Sequence, residues 1–196
     1  MANPIVRGFR NMARFSGRDS RGQFWPYAGV VFALVFFGFG IAMSLVMNEM
    51  FAGMQAFAAE HPEAATVHAS PGSYSISIDA SHPDAPELNL GPFFATLASM
   101  VLACVGLLAA AVSRRLHDSG RRAYWGLMPL PFLLFGLTAF PAMITQVTAS
   151  GEPDLGLFFL LFFNNLLYLV ALAGLIVLLV LRGTTGPNRF GPEPER

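Results

Sequence analysis

The chain has 196 residues, of which 54% are hydrophobic and only 12% are charged, and its mean hydropathy is +0.53. Soluble domains have about 25% charged residues, so this composition excludes an ordinary soluble domain and favours a membrane protein. The formal net charge is zero at pH 7, and all twelve basic residues are arginine.

A polar segment at residues 1–24 precedes the first apolar stretch. Ser20 and Gln23 fit the capping-box pattern, which predicts that a helix begins near Arg21. A transmembrane helix is predicted at residues 25–47, because a span needs about 20 mostly apolar residues. We interpret it as a retained helix, since the apolar region of a signal peptide has only about 7–15 residues.

The loop at residues 48–91 carries six acids and no arginine. Residues 48–60 keep large apolar side chains at helical spacing, which predicts that the first helix continues or that a helix lies on the membrane surface. Residues 73–79 alternate small polar residues with larger apolar ones and predict a short strand.

Three of the four histidines lie in this loop, namely His61, His68 and His82. Imidazole is a common zinc ligand, but the spacing of these three matches none of the usual ligand patterns. We therefore predict solvated histidines, with no metal site and no cofactor. The only cysteine, Cys104, excludes an intrachain disulfide.

Three further apolar stretches predict transmembrane helices at residues 92–113, 124–147 and 155–181. The connecting segments are residues 114–123 and 148–154, and residues 182–196 form a tail. The third span contains three prolines, which predict a kinked or broken helix. Such a helix would suit a hinge or a substrate cavity of a transporter, and an ordinary kink is the alternative.

Small and polar residues indicate how the spans would pack. Ser99, Ala103 and Gly106 share one face of the second predicted span and favour close helix packing, either within the chain or in a homo-oligomer. Asn164 and Asn165 need partners inside a membrane, so they predict a contact with another helix or a polar site for a small ligand. No ionisable residue lies inside any predicted span, which disfavours ion-coupled transport.

Arginines alternate between the connecting segments. The first, third and fifth segments carry five, four and three arginines, and the two loops between them carry none. The positive-inside rule then places both termini in the cytoplasm and makes residues 48–91 a periplasmic loop. The predicted fold class is an all-α membrane protein with four transmembrane helices in a single domain.

Three polar motifs lie on the predicted cytoplasmic side. They read FSGRDSRGQFW at residues 15–25, RRLHDSGR at 114–121 and GTTGPNRFGPEP at 183–194. Together they resemble the DUF805 (YhaH-like) family of small bacterial inner-membrane proteins of unknown function. The resemblance covers nearly the whole chain. It implies a multi-pass protein of the bacterial inner membrane and implies no activity.

The motifs supply the candidates for binding an anionic ligand, which are Arg18, Arg21, Arg114, Arg115, His117, Asp118, Arg121, Arg122, Asn188 and Arg189. We predict a non-enzymatic protein whose arginine-rich face binds anionic lipid or an acidic partner, since each surface arginine adds about 1 kcal/mol of attraction. The predicted partners are the bilayer, a second copy or another membrane protein, and no nucleic acid. A small transporter or pore that uses the third span is the alternative.

Two further interpretations of the motifs are open. In a structural one, Asp19 pairs with Arg114 or Arg115, Asp118 caps the third helix or pairs with Arg18 or Arg21, and His117 bonds a carbonyl of the tail. In a catalytic one, His117 and Asp118 form an acid–base pair. Neighbours on a helix point about 100° apart, which disfavours the catalytic interpretation, so no catalytic residue is predicted.

Overall fold

The structure is a computed structural model that describes residues 3–79, 81–86 and 89–195 and is mostly helical. Its elements are α1 (Pro4–Arg10), α2 (Arg21–Glu60), β1 (Ala65–Ser70), β2 (Ser73–Ile78), α3 (Gly91–Asp118), a 3-10 helix (Ala123–Leu127), α4 (Leu130–Ser150) and α5 (Leu155–Val180). Four helical stretches are long and apolar enough to cross a membrane: α2, α3, the 3-10 helix with α4, and α5. This number agrees with the four predicted spans.

The helix boundaries follow local signals in the sequence. The backbone N–H of Ser20 donates to Gln23 Oε1 at 3.1 Å, and α2 begins at Arg21 as the capping-box pattern predicts. The helix then continues to Glu60, which was one of the two expectations for residues 48–60. Helix α1 was not predicted, although Asn3 caps it by accepting a hydrogen bond from the backbone N–H of Ile5.

The prolines of the third span act mainly at its entrance. Pro129 precedes α4 and Pro131 lies in its first turn, where a missing N–H costs no intrahelical hydrogen bond. Pro141 lies inside α4, yet the helix continues to Ser150. The predicted break therefore falls where the 3-10 helix meets α4, and α4 itself is uninterrupted.

The chain divides into two compact units, one comprising Met1–Val35 and Val101–Arg196 and the other Phe36–Met100. The buried core of the first unit lies where α2 begins and where α3 and α5 end, and we call this part the charged end. Its hydrophobic members include Phe24, Tyr27 and Val31 of α2, with Leu116 and Leu179. The Tyr27 hydroxyl donates to the Leu107 carbonyl at 2.8 Å, so the buried ring keeps its polar atom paired.

The second unit contains the hairpin of β1 and β2. The strands are antiparallel, with Ala65 opposite Ile78 and Ser70 opposite Ser73, which confirms the strand predicted at residues 73–79. Gly72 turns the hairpin with φ of +81°, a conformation that glycine adopts without steric cost. The backbone N–H of Asp79 donates to the Ala64 carbonyl and closes the base of the hairpin.

Candidate functional site: a buried charge network and an adjacent pocket

Five charged residues cluster at the charged end, and we call them the charge network: Arg18, Asp19, Arg114, Arg115 and Asp118. Each has at most 5% of its surface exposed. They are contributed by the segment before α2 and by the last two turns of α3. Charged side chains are seldom this buried unless they are paired, so their partners decide what they do.

Asp118 is the centre of the network. Its Oδ1 accepts from Nε and Nη2 of Arg18 at 3.1 and 3.0 Å. Its Oδ2 accepts from Nη1 of Arg115. One buried carboxylate therefore serves two guanidinium groups, and the predicted pairing of Asp118 with Arg18 is confirmed.

Asp19 forms the second ion pair of the network. Its Oδ2 accepts from Arg114 Nε at 2.6 Å, and its Oδ1 contacts Arg7 Nη2 of α1 at 3.0 Å. The backbone N–H of Asp19 also donates to the Arg114 carbonyl at 3.1 Å. The predicted pairing of Asp19 with Arg114 is thus confirmed.

The remaining guanidinium N–H groups bind backbone carbonyls. Arg18 donates to Thr184 O at 2.6 Å and to Gly186 O at 2.7 Å. Arg115 donates to Leu179 O at 2.8 Å and to Leu181 O. Carbonyls at the end of a helix such as α5 have no intrahelical donor, so the network supplies the donors they lack. These bonds join the N-terminal segment, α3 and the residues after α5.

His117 is held by two of the same segments. Its ring stacks on Phe190, with centroids 3.9 Å apart and planes 6° apart, and its Nδ1 lies 3.1 Å from the Gly17 carbonyl. Its own carbonyl accepts from Asn188 Nδ2 at 3.0 Å. We expected the His117 ring to bond a carbonyl of the tail, and this is wrong, because the carbonyl next to the ring is that of Gly17. The tail contacts His117 through the Phe190 ring and the Asn188 amide instead.

A cavity of about 670 Å³ opens beside the network. Arg21 and Arg182 line it and are exposed. Among the residues that the structure describes, neither side chain makes an ion pair or a hydrogen bond. Glu193 also lines the cavity, where its Oε2 accepts from the backbone N–H of Gly186 at 2.6 Å. Arg182 is not among the ligand-binding residues predicted from the sequence, although it is the first charged residue after the fourth span.

Of the predicted ligand-binding residues, Arg21, Arg115 and Asp118 line this cavity, and the others lie outside its lining. Arg189 donates to Gly120 O at 3.0 Å and lies over the Phe190 ring at 4.7 Å. Arg121 is half-buried and Arg122 is exposed. Two of the predicted arginines therefore line the cavity. The Arg115 guanidinium is bound within the chain, whereas the Arg21 guanidinium has no partner in the part of the chain that the structure describes.

The predicted packing residues have different environments. Asn164 Nδ2 donates to Phe132 O at 3.0 Å, which confirms that it faces another helix. Asn165 is exposed, and both amides line a groove of about 380 Å³ between α4 and α5. On α3, Ser99, Ala103 and Gly106 are all exposed, so this face is not enclosed within the described chain.

Two of the three loop histidines meet in the second unit. His61 Nδ1 lies 3.3 Å from Glu63 Oε1, and His82 Nε2 lies 3.8 Å from the same oxygen. A hydrogen bond from its own backbone amide, and then the hydrogen bond and charge of His61, lower the pKa of the Glu63 carboxyl. His68 is exposed on β1 and is not part of this cluster.

The four apolar helical stretches, together with one charged end, indicate a multi-pass membrane protein. The chain belongs to the DUF805 family, described as "Protein of unknown function (DUF805)", whose model matches residues 12–192. The resemblance seen in the three motifs is thereby confirmed. Searches of the curated proteins and of the solved structures found no match.

Proposed function

We propose that the cavity at the charged end binds the phosphate of an anionic lipid headgroup, and that the protein is a non-enzymatic lipid-recognising protein of the bacterial inner membrane. The observation that carries this proposal is that one cavity contains two arginines, Arg21 and Arg182, whose side chains have no ion pair or hydrogen bond among the described residues. The buried arginines of the charge network are occupied by partners within the chain, so they are assigned to the fold instead.

The chemistry of the cavity suits a phosphate. A guanidinium group presents a planar fork of donors that matches phosphate oxygens, and it stays charged at all physiological pH values. Ser20, Arg21 and Gly22 of the lining also form the start of α2, where backbone N–H groups lack helical partners and the helix dipole favours an anion. The two arginines and the start of α2 therefore both favour the binding of an anion.

The flanking aromatic residues support a lipid as the source of the phosphate. Trp25 lies one turn after Arg21, and Tyr124 and Trp125 are also exposed near the start of the third span. Tryptophan and tyrosine prefer the depth of the headgroups. Arg182 lies just beyond the end of α5, at the same type of boundary. An arginine at that depth is positioned to reach a headgroup.

The proposed orientation places this cavity in the cytoplasm. The positive-inside rule supports cytoplasmic positions for the three arginine-bearing segments, and therefore for both termini, with the hairpin in the periplasm. Anionic lipids give the cytoplasmic leaflet a negative surface potential. The test is labelling of a single cysteine at Ser75 or at Pro187 in a Cys104→Ala background. In intact cells an impermeant reagent should modify position 75 and spare position 187, and the reverse pattern refutes the orientation.

Glu193 restricts where the phosphate can lie. Its carboxylate lines the same cavity and repels an anion placed beside it. The phosphate is therefore expected on the Arg21 and Arg182 side. A Glu193→Gln variant should retain anionic lipid at least as well as the parent protein.

Native mass spectrometry of the protein extracted with phosphatidylglycerol tests the proposal. The Arg21→Gln/Arg182→Gln variant should retain about 30-fold less lipid, because two surface arginines contribute about 2 kcal/mol. The matched control is Arg10→Gln/Arg14→Gln, which removes the same charge from two exposed arginines outside the cavity. Equal losses in the two variants, or no loss in either, would refute a specific site. Competition by inorganic phosphate at millimolar concentration would identify free phosphate, and not lipid, as the ligand.

The groove between α4 and α5 is the feature that the transporter alternative would use. Its lining is mainly aliphatic and aromatic, and the amides and Tyr168 supply its polar atoms. Among the described residues no charged side chain lines it. Such a lining suits a lipid chain better than a polar solute. The groove therefore does not favour the transporter alternative over headgroup binding at the charged end.

A further inference from the structure

Residues from both ends of the hairpin bring three metal-ligand groups together. His61 and Glu63 precede β1, and His82 follows β2. One donor atom from each of the three residues lies within 4.8 Å of the other two. Two imidazoles and one carboxylate are a donor set that zinc and related divalent transition metals accept.

The distances are close to those that a bound metal needs. Zinc binds nitrogen and oxygen at about 2.0–2.2 Å, so donor atoms of a tetrahedral site lie about 3.3–3.5 Å apart. His61 Nδ1 and His82 Nε2 lie 3.3 and 3.8 Å from Glu63 Oε1. Small side-chain rotations would therefore complete the site without a rearrangement of the strands.

The packing around the two imidazoles holds them in this arrangement. Phe57 of α2 is 7% exposed and contacts both rings, at 4.9 Å from His61 and 5.6 Å from His82 between centroids. The two imidazoles themselves lie 4.6 Å apart. Each histidine side chain is 23% exposed, so both rings are largely covered while remaining partly accessible to solvent. A loop histidine that is fully solvated would not pack against a buried aromatic ring in this way.

We propose that His61, Glu63 and His82 form a three-ligand site for Zn²⁺ or a similar divalent transition metal, which closes the base of the hairpin. Three protein ligands leave a fourth coordination position for water or an external ligand. The metal would join residues 61–63 to residue 82, across the same base that the Asp79 N–H and the Ala64 carbonyl close.

Metal binding requires that one hydrogen bond of His82 to the chain be replaced by a hydrogen bond to water. His82 Nδ1 accepts from the backbone N–H of Asp84 at 3.2 Å, which leaves the ring proton on Nε2, facing Glu63. Coordination through Nε2 moves that proton to Nδ1, so the Asp84 hydrogen bond must break. Asp84 is exposed, and water can satisfy its N–H after the exchange.

The test uses the full chain without an affinity tag, in detergent, after removal of metal with EDTA. Titration calorimetry with ZnCl₂ should show one equivalent bound, while MgCl₂ should show none because magnesium prefers oxygen ligands. His61→Ala and His82→Asn should each weaken zinc binding by more than about 100-fold, since even outer-shell changes cost 10–100-fold. The amide introduced by His82→Asn keeps an oxygen that can accept from the Asp84 N–H, so the local fold has a substitute for the imidazole.

His68→Ala is the matched control, because it removes a histidine of the same hairpin that lies outside the cluster. It should leave the zinc affinity within about threefold of the parent value. Hydrogen exchange over residues 61–82 should slow on zinc addition in the parent and in His68→Ala, and not in His82→Asn. The proposal is overturned by an absence of saturable binding, by equal loss in the control, or by equal competition from magnesium.

Discussion

The charge network and the cluster of His61, Glu63 and His82 both use polar side chains to join distant parts of the sequence. They differ in how completely their polar atoms are hydrogen-bonded within the chain. In the network, Arg18, Arg114 and Arg115 are buried and bound to carboxylates and carbonyls. In the cluster, three donor atoms converge, with contacts of 3.3 and 3.8 Å from the two imidazoles to Glu63 Oε1. Loss of one partner of a buried charge pair destabilises a fold, whereas accessible donors with incomplete partners are available to a ligand.

The largest expected effect comes from Asp118→Asn, which tests whether the network is structural. The change keeps the shape and removes the charge shared by Arg18 and Arg115, leaving two buried guanidinium groups uncompensated. The free energy of unfolding should fall by about 3–5 kcal/mol, measured by denaturant titration in detergent. Glu152→Gln, at an exposed acid, is the control and should stay within about 0.5 kcal/mol. A similar small change for Asp118→Asn would contradict the assignment.

Gly183→Ala should disturb the same network without removing a charge. An added Cβ at this position would lie 2.6 Å from Asp118 Cγ, inside van der Waals contact. The unfolding free energy should fall by about 1–3 kcal/mol as the carboxylate is displaced. Gly29→Ala, where a Cβ meets no atom within 4 Å, should be neutral or slightly stabilising. Equal effects of the two substitutions would show that residue 183 is not closely packed on Asp118.

Gly72→Ala tests whether the hairpin is independent of the network. The φ of +81° is unfavourable for alanine by about 1 kcal/mol, so hydrogen exchange in β1 and β2 should accelerate about fivefold. Gly53→Ala in α2, where a Cβ meets open space, serves as the control. A loss of global stability as large as that of Asp118→Asn would mean that the two regions unfold together.

The smallest expected effect on stability concerns Arg21 and Arg182, the two exposed arginines beside the network. Arg21→Gln/Arg182→Gln should change the unfolding free energy by less than about 0.5 kcal/mol, because both arginines are exposed and unpaired within the described chain. The same denaturant titration measures it. A loss above about 2 kcal/mol would assign these two arginines to the fold and would remove the basis for the proposed lipid site.

Much of the architecture could be predicted because membrane spans and caps are local signals. Apolar length alone predicts four spans, and Ser20 with Gln23 predicts the start of α2. The pairs Arg114–Asp19 and Arg18–Asp118 could be proposed because the first two motifs contain several arginines and one acid each, Asp19 and Asp118.

The remaining features depend on tertiary contacts that the sequence does not encode locally. Arg182 and Arg115 look alike in the sequence, and only the fold shows that one is exposed and the other is enclosed. The spacing of His61, Glu63 and His82 gives no ligand pattern, because an intervening hairpin brings the third residue back. The short helix α1 was missed because seven residues carry too little periodicity to be recognised.

The carbonyl bonds of Arg18 have a consequence for biosynthesis. Arg18 is made before the first long helix, whereas its acceptors Thr184 and Gly186 are made after the fourth. Until those residues leave the ribosome, the guanidinium and Asp118 lack part of their final coordination. Completion of the network therefore requires that all four long helices have been synthesised.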